Sequence, residues 1–353
     1  MKAIAIPKDR TYPELIDVPK PNPEEGEALV RTLRVGIDGT DYEVINGSHG
    51  GFPDDSEYHI LGHEAVGIVE ESNRAGLDPG SIVVPTVRRP PGESNEYFDR
   101  GIPDMAPEGS YVERGIAGAH GFMSEYFASP GEFLVEIPRE LHRTGFLIEP
   151  ISNSEKAIEH AIASRSAFDW QPESALVLGN GPLGLLTLAM LEPDFDRVYC
   201  LGRRDRPDPT INVIEQLGAT YIDSRETPVD AIPTTHESMD LVYEATGFAK
   251  HPYETVDALS PNGVGVLLGI PEDWQFEIDG GKIHRQLVLE NKALLGSVNS
   301  SVPHFEAARE SLATFSDWFR DALITDVFQP SDIDQAFSRD EQEIKTVIEF
   351  GTL

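Results

Sequence analysis

A chain of 353 residues is too long for one ordinary core, and an apolar fraction of 39% can fill a packed interior, so two domains are expected. Its 28 basic and 61 acidic side chains leave a formal net charge of −33, spread along the chain rather than gathered at one end. That spread favours a solvated acidic surface suited to high salt, as in a halophile cytosol, over an acidic interaction tail, and the lack of a basic stripe argues against a nucleic-acid partner. In dilute buffer such a charge opposes the compact state, whereas at molar salt the screening length falls to about 3 Å.

The single cysteine, Cys200, sits in the run Val198-Tyr199-Cys200-Leu201, so no intrachain disulfide can form and the thiol reads as a small buried hydrophobe. No stretch approaches the ~20 apolar residues of a membrane span. Residues 1–6 read as a short strand, not a signal peptide. The expectation is a soluble, cytoplasmic protein with no membrane partner.

Residues 1 to about 150 read as β structure with long loops. Residues 27–35 partly alternate, and Ser81-Ile82-Val83-Val84-Pro85 follows a Pro-Gly turn; frequent Gly and Pro suit a compact antiparallel barrel. Residues 88–121 read as one long loop rich in Pro, Gly, Asn and Glu, a length that suggests a lid, a binding loop or a subunit contact. Three short polar groups stand out: Gly36-Ile37-Asp38-Gly39-Thr40-Asp41, Leu61-Gly62-His63-Glu64-Ala65-Val66-Gly67 and Leu147-Ile148-Glu149-Pro150. A zinc ion that does chemistry takes three His, Asp, Glu or Cys ligands and keeps one position open. Asp38, His63 and Glu149 could form that set, with Glu64 either a fourth, exchangeable ligand or a partner that orients the imidazole.

Ser152-Asn153-Ser154-Glu155 has the pattern of a capping box, which predicts a helix starting just after Glu149-Pro150 and leading into the second domain. That domain opens with the apolar strand Ala175-Leu176-Val177-Leu178, then Gly179-Asn180-Gly181-Pro182-Leu183-Gly184, then a helix. G-x-G-x-x-G between a strand and a helix points to dinucleotide binding, because glycines let backbone N–H groups approach a pyrophosphate. Strand two ends in Gly202-Arg203-Arg204-Asp205-Arg206, where NAD sites commonly place an acid. Guanidinium groups suit a 2′-phosphate, so NADP is favoured; Asp205 leaves NAD open. Further strands are expected over 240–247, 263–270 and 292–299, with ends at 245–247, 269–270 and 297–299 lining the ligand crevice. A helix around 305–319 and a last strand near 345–350 return to the first domain. The expected division is therefore 1–152 with 300–353, and 153–299.

In this order of motifs the chain resembles, over essentially its whole length, the zinc-containing medium-chain dehydrogenase/reductase superfamily. Within it the match is to the haloarchaeal glucose 1-dehydrogenases, through residues 36–41, Pro-Thr-Val-Arg-Arg-Pro at 85–90, Gly-Ala-His-Gly at 118–121, Gly-Arg-Arg-Asp-Arg-Pro at 202–207 and Gly-Ser-Val-Asn-Ser at 296–300. The resemblance implies an α/β protein with a GroES-like β-barrel catalytic domain and a Rossmann doubly wound parallel-sheet domain. Most of the superfamily has a cysteine as first metal ligand; Asp38 in its place is a hard ligand that loosens the preference for zinc. The four-cysteine structural zinc of many relatives cannot be built from one cysteine, so one metal per subunit is expected.

By the same resemblance Asp38, His63 and Glu149 hold the metal with Glu64 nearby, and Thr40 contacts the substrate hydroxyl and passes on its proton, with Glu64 or a water continuing the relay. Glu113, Asn299 and Glu149 bind sugar hydroxyls. The cofactor lies on 179–184, on Arg203 and Arg204, on Leu268, Gly269 and Ile270, and on Ser297, Val298 and Asn299. Plainer roles compete: Thr40 as a helix N-cap, Glu113 as part of a solvated acidic face, Asn299 as a turn closer. His120 reads as structural. The implied activity is NAD(P)-dependent oxidation of D-glucose, and possible other aldoses such as D-galactose, at C1 to the lactone, serving an Entner–Doudoroff-type route in a dimer or tetramer. The rivals are a zinc alcohol or polyol dehydrogenase of the same fold and a non-catalytic NADP-binding protein, whose relatives lack the metal ligands.

Overall fold

The strand Glu27–Ile37 is the spine of the first unit. It is buried at every residue except Glu27 and Arg31, a near-continuous pattern rather than an alternating one, because it runs through the middle of a seven-stranded sheet. It pairs antiparallel with Tyr126–Pro130, Glu64–Ser72 and Lys345–Glu349. Register shifts at Leu29/Val30 and Thr32/Arg34 bend it, as bulges do. The computed structural model describes residues 1–338, 340 and 342–353. Its contacts divide into one unit of Met1–Ser152 with Asn299–Leu353 and another of Asn153–Val298, so Asn299 goes with the first unit.

Residues 88–121 are not one irregular loop. Arg88–Arg89, Val112–Arg114 and Gly118–Ala119 form a three-stranded sheet, with Arg88 opposite Glu113. The pairs are too short to leave a periodic signal in the sequence. The strand Ile324–Phe328, not foreseen, pairs parallel with Lys345–Glu349. In place of one helix near 305–319 there are two, Val302–Thr314 and Asp317–Leu323, separated where Phe315 turns extended.

The helix expected to begin after Glu149-Pro150 in fact spans Ile148–Arg165 and grows directly out of the 3₁₀ turn Gly145–Leu147. Pro150 is tolerated because the first-turn N–H groups have no intrahelical acceptor. Ser152 is therefore inside the helix and caps nothing at its start. Its hydroxyl donates to the Glu149 carbonyl at 2.6 Å and pairs with the Ser300 hydroxyl at 2.7 Å.

The second unit is a six-stranded sheet in which every pairing is parallel. Its strands are Ser174–Leu178, Arg197–Gly202, Thr220–Asp223, Met239–Glu244, Leu259–Leu267 and Ala293–Gly296; numbered one to six, they lie in the order 3-2-1-4-5-6. That is the doubly wound nucleotide-binding arrangement, whose switch point lies between the first and fourth strands. All of Ser174–Leu178 is buried, as a central parallel strand requires. The strands expected over 240–247, 263–270 and 292–299 each stop three residues earlier, at Glu244, Leu267 and Gly296, so the segments after them are turns at the carboxyl edge. Among the described residues no helix is long and apolar enough to cross a membrane.

Candidate active site and nucleotide site

The spine strand ends at Ile37 and hands Asp38 to the helix Gly39–Asn46 as its N-cap. Asp38 Oδ1 accepts from the Asp41 N–H at 3.2 Å, and Asp41 Oδ2 accepts from the Asp38 N–H at 3.1 Å. This closed box satisfies helix-end donors and fixes the Asp38 carboxylate. Asp41 Oδ1 also accepts from the Gly62 N–H at 3.2 Å and so ties down the turn that carries His63. Glu64 then opens the neighbouring strand directly opposite Gly36.

These constraints bring Asp38, His63 and Glu64 together, with one ligand atom from each within 4.8 Å of the others. His63 Nε2 stands 3.5 Å from Asp38 Oδ2. Two ligands at about 2.1 Å from a tetrahedral zinc ion would be roughly 3.4 Å apart, so this pair has the spacing a shared ion needs. His63 Nδ1 is buried without a hydrogen-bond partner among the described residues. The donor set of two carboxylates and an imidazole suits zinc and also harder divalent ions.

Lys345, which belongs to no recognisable motif, completes the site. Its ammonium lies 2.7 and 2.6 Å from the two Glu64 oxygens, with both side chains almost wholly buried. Gly36 makes room for this pair: a Cβ there would stand 2.3 Å from Glu64 Oε2 and 2.9 Å from Lys345 Cε. Burial raises the Glu64 carboxyl above its usual range while Lys345 pulls it back. Burial opposes the charge of Lys345, yet Glu64 and Asp38 push its ammonium up. Burial likewise opposes ionisation of Asp38, but His63 and Lys345 hold its carboxyl well below the usual range. His63 is driven well upward: burial disfavours its cation, and Asp38, Asp41 and Glu149 outweigh that. Asp41 is raised to about 7 by burial, with His63 opposing and Asp38 and Glu64 adding. The site is thus a compact set of coupled charges that a divalent cation would reorganise.

Glu149 lies outside the trio defined by the 4.8 Å spacing. It is buried in the first turn of the helix Ile148–Arg165, close enough for its charge to act on His63. Thr40 sits half-buried in the first turn of the helix that Asp38 caps, so the N-cap role belongs to Asp38 and not to Thr40. Glu113 is not on a solvated face: its Oε1 accepts from Arg88 Nε at 3.0 Å and from Asn299 Nδ2 at 3.2 Å. The structure therefore joins Glu113 and Asn299 across 186 residues of sequence. Asn299 has φ +54°, and its side-chain oxygen accepts from the Ser300 N–H at 2.7 Å, so it shapes a turn as well. His120 accepts from the Ile60 N–H at 3.3 Å and stacks on Tyr58, which is a structural role.

In the second unit, Gly179 and Asn180 follow the first strand, and Gly181 stands before the helix Pro182–Leu191. A Cβ on Gly184 would lie 1.9 Å from the Gly179 carbonyl oxygen, so only glycine lets this turn and helix approach so closely. Leu183 and Pro182 form the first helical turn, whose N–H groups suit a pyrophosphate. Leu268 and Gly269 donate to the Glu244 carbonyl, and Ser297 donates to that of Leu267. Ile270 and Val298 are exposed. A cavity of about 540 Å³ opens beside this turn, lined among others by Gly179, Asn180, Gly202, Arg203, Arg225 and Phe248. Arg204 is not part of its wall. A glycine turn and guanidinium groups around one cavity, with a helix start next along the chain, fit a phosphorylated dinucleotide.

Comparison with known proteins agrees with this geometry. Residues 24–139 match the family described as the alcohol dehydrogenase GroES-like domain, and residues 142–350 match the glucose dehydrogenase C-terminus. The glucose 1-dehydrogenases of Haloarcula marismortui and Haloferax mediterranei are 60% and 61% identical to the chain, each alignment covering 100% of both proteins. A solved structure of Haloferax mediterranei glucose dehydrogenase in complex with NADP, Zn and gluconolactone superposes with a TM-score of 0.98, at 61% identity and over 100% of both chains. The chain belongs to the glucose 1-dehydrogenase family, within the medium-chain dehydrogenases built from a GroES-like domain and a Rossmann-type sheet.

Proposed function

We propose that this chain oxidises D-glucose at C1 to the lactone, with NADP preferred over NAD and one zinc ion per subunit, and that D-galactose and related aldoses are further substrates. The observation that carries the reading is the buried meeting of Asp38, His63 and Glu64 in a chain whose other unit holds a glycine-rich nucleotide turn. Asp38 and His63 would hold the ion with Glu149, and Glu64 would stand beside it, its charge balanced by Lys345. A bound divalent ion would make the C1 hydroxyl more acidic, and the nicotinamide would take up the C1 hydride.

The chain's own residues do the rest. Thr40, two positions past Asp38 on the capped helix, receives the substrate hydroxyl proton and passes it on toward solvent. His63 and Asp38 are locked by the cap and by Asp41, so little reorganisation is needed when substrate arrives. Glu113, anchored through Oε1 by Arg88 and Asn299, presents Oε2 to a sugar hydroxyl. Fixed carboxylate and amide groups of this kind discriminate polyols strongly, since a missing hydroxyl leaves a buried partner unpaired.

We also infer a homo-oligomer acting in the cytoplasm and feeding sugar acid to an Entner–Doudoroff-type route. In support of assembly, the helix Gly280–Leu289 has no buried residue, exposes Val288 and Leu289, and precedes the edge strand Ala293–Gly296. The deciding experiment is a panel of glucose, galactose, xylose, sorbitol and simple alcohols with NADP⁺ and NAD⁺ in molar KCl, before and after EDTA dialysis and zinc restoration. Glucose with NADP⁺ is expected to lead, and dialysis to abolish turnover until zinc returns. Faster turnover of sorbitol or an alcohol, or full activity after dialysis, would overturn the proposal.

A further inference from the structure

Two stretches that mark the sequence, Pro-Thr-Val-Arg-Arg-Pro at 85–90 and Gly-Ala-His-Gly at 118–121, have no part in the chemistry above, yet the fold sets Glu113 between them. In the three-stranded sheet the middle strand is Val112–Arg114, flanked by Arg88–Arg89 from the first stretch and Gly118–Ala119 from the second. The two arginines differ. Arg89 spends its guanidinium on the Thr86 carbonyl and hydroxyl at 2.9 and 3.1 Å, the Arg88 carbonyl at 2.8 Å and Ser129 Oγ at 3.3 Å, over the ring of Phe133. Those partners are barrel framework.

Arg88 is buried directly opposite Glu113 in the register, so the two side chains leave the same face. Its Nε donates to Glu113 Oε1 at 3.0 Å, while Nη1 donates to the carbonyls of Pro103 at 3.1 Å and Asp104 at 3.2 Å. The guanidinium carbon also lies 3.6 Å from the centroid of the Tyr111 ring. Pro103, Asp104 and Tyr111 belong to the excursion 90–111, which Asn95 Nδ2 closes by donating to the Ser110 carbonyl at 2.9 Å. One planar fork thus holds the excursion and the carboxylate together, which a lysine ammonium could not do. The second stretch fixes the backbone on which Glu113 rides. The Glu113 carbonyl accepts from the N–H groups of Ile116 at 3.1 Å and Ala117 at 2.9 Å. A Cβ on Gly115 or Gly121 would overlap the Gly62 carbonyl oxygen, to which the Phe122 N–H donates at 2.9 Å. The turn after Glu113 and the turn that delivers His63 are therefore packed backbone to backbone.

We propose that Arg88 is a positioning residue for sugar binding: it sets the Glu113 carboxylate at a fixed offset from the His63 turn, and it makes that setting depend on how the excursion 90–111 is anchored. This rests on the reading of Glu113 as a sugar ligand given above. With Nε and Nη1 engaged, Arg88 acts through Oε1 of Glu113 and leaves Oε2 to a substrate hydroxyl. A site group held in this way keeps its productive geometry before substrate arrives.

The test is a double-mutant cycle on the full-length, zinc-loaded protein, read by steady-state kinetics with glucose and saturating NADP⁺ in molar KCl. Losing one charge-assisted hydrogen bond to the sugar corresponds to roughly a tenfold loss of affinity. Arg88→Gln is expected to raise the KM for glucose by about that factor, with kcat within about threefold. Its NADP⁺ binding should stay within about twofold of wild type, which also shows that the variant is folded. Tyr111→Leu keeps the bonds to the carbonyls, removes only the stacked ring, and is expected to raise KM about threefold. In a Glu113→Ala background neither change should raise KM further by more than about twofold, because the carboxylate they position is gone. An unchanged KM in Arg88→Gln, a fall confined to kcat, or increases that multiply with that of Glu113→Ala overturn the positioning role. Should Arg88→Gln not fold, the same cycle with Tyr111→Leu decides by the same criteria. If Glu113→Ala itself leaves KM unchanged, the reading of Glu113 as a sugar ligand falls and takes the proposal with it; a raised KM there with an unchanged one in Arg88→Gln overturns the proposal alone.

Discussion

Replacing Lys345 by methionine should destabilise the protein more than any single surface change. The variant keeps the length of the side chain and removes only the charge. In the native protein that charge lies 2.6 Å from a Glu64 oxygen, with side-chain exposures of 1% and 2%. At an effective dielectric of about 20, unit charges at this separation attract by roughly 6 kcal/mol, and desolvation of both groups takes back much of that. Without the lysine, Glu64 is left buried beside Asp38, with only the weaker opposing charge of His63 to offset it. Breaking a buried pair from one side typically costs about 3–5 kcal/mol, capped by the option of protonating the carboxylate at about 1.4 kcal/mol per unit of pKa rise. The double variant Glu64→Gln with Lys345→Met removes both charges and should recover most of the loss. The assay is urea unfolding at fixed KCl, on metal-free and zinc-loaded protein. A Lys345→Met variant within about 1 kcal/mol of wild type, or a double variant no more stable than the single, would refute the account of this pair.

Three further outcomes follow from the geometry. Asp38→Asn keeps a good helix cap but removes the charge that faces His63 and Lys345, so it should weaken zinc binding by isothermal titration and also lower the metal-free melting temperature; Asp38→Ala should lose about 1 kcal/mol more of cap energy in urea unfolding. Glu113→Gln should raise the KM for glucose roughly tenfold with a smaller change in kcat, because its anchoring by Arg88 and Asn299 points to a binding role; an unchanged KM would remove it from the sugar site. His59 and His120 are each depressed to about 4, mainly by burial, aided by His120 and Arg114 respectively. With folded values below the unfolded ~6.5, the native state binds fewer protons, so stability is intact above that value and falls as the pH drops toward 4. The fully buried His59 accounts for about 3 kcal/mol of that fall, and His59→Leu should flatten the slope relative to wild type in urea titrations across this range.

How much of this was readable in the sequence depends on how local the signal is. Asp38, His63 and Glu64 were legible because each lies in a short glycine-bounded group, and the nucleotide turn because its glycines sit between an apolar strand and a helix. The helix start at Ile148 was misplaced because Pro150 followed by Ser-Asn-Ser-Glu looks like a beginning, while the incoming 3₁₀ turn has no comparable pattern. Lys345 left one trace, a lysine next to the apolar residues Ile344, Val347 and Ile348, but only strand pairing shows that Glu64 is its partner. Arg225 left less, since its place beside Arg203 depends on the register between two parallel strands. The meeting of Glu113 with Asn299 is entirely tertiary, and only the family resemblance put both on one substrate.

The distribution of charge separates adaptation of the surface from chemistry of the site. Among the described residues seven cations are buried, Arg34, Arg88, Arg89, Lys156, Arg165, Lys292 and Lys345, out of 28 in the chain. Only six acids are, Asp41, Glu64, Asp104, Glu149, Asp208 and Glu244, out of 61. A quarter of the cations against a tenth of the acids means that the buried residues have near-balanced charge and that the whole negative excess lies outside them. Salt acts on exposed, separated charges and little on buried pairs in contact. Overall stability should therefore climb steeply with KCl while the penalty of Lys345→Met stays constant over the same range. A penalty that shrinks as KCl rises would mean that the Glu64 pair is open to solvent, and that the site and the surface respond to salt as one system.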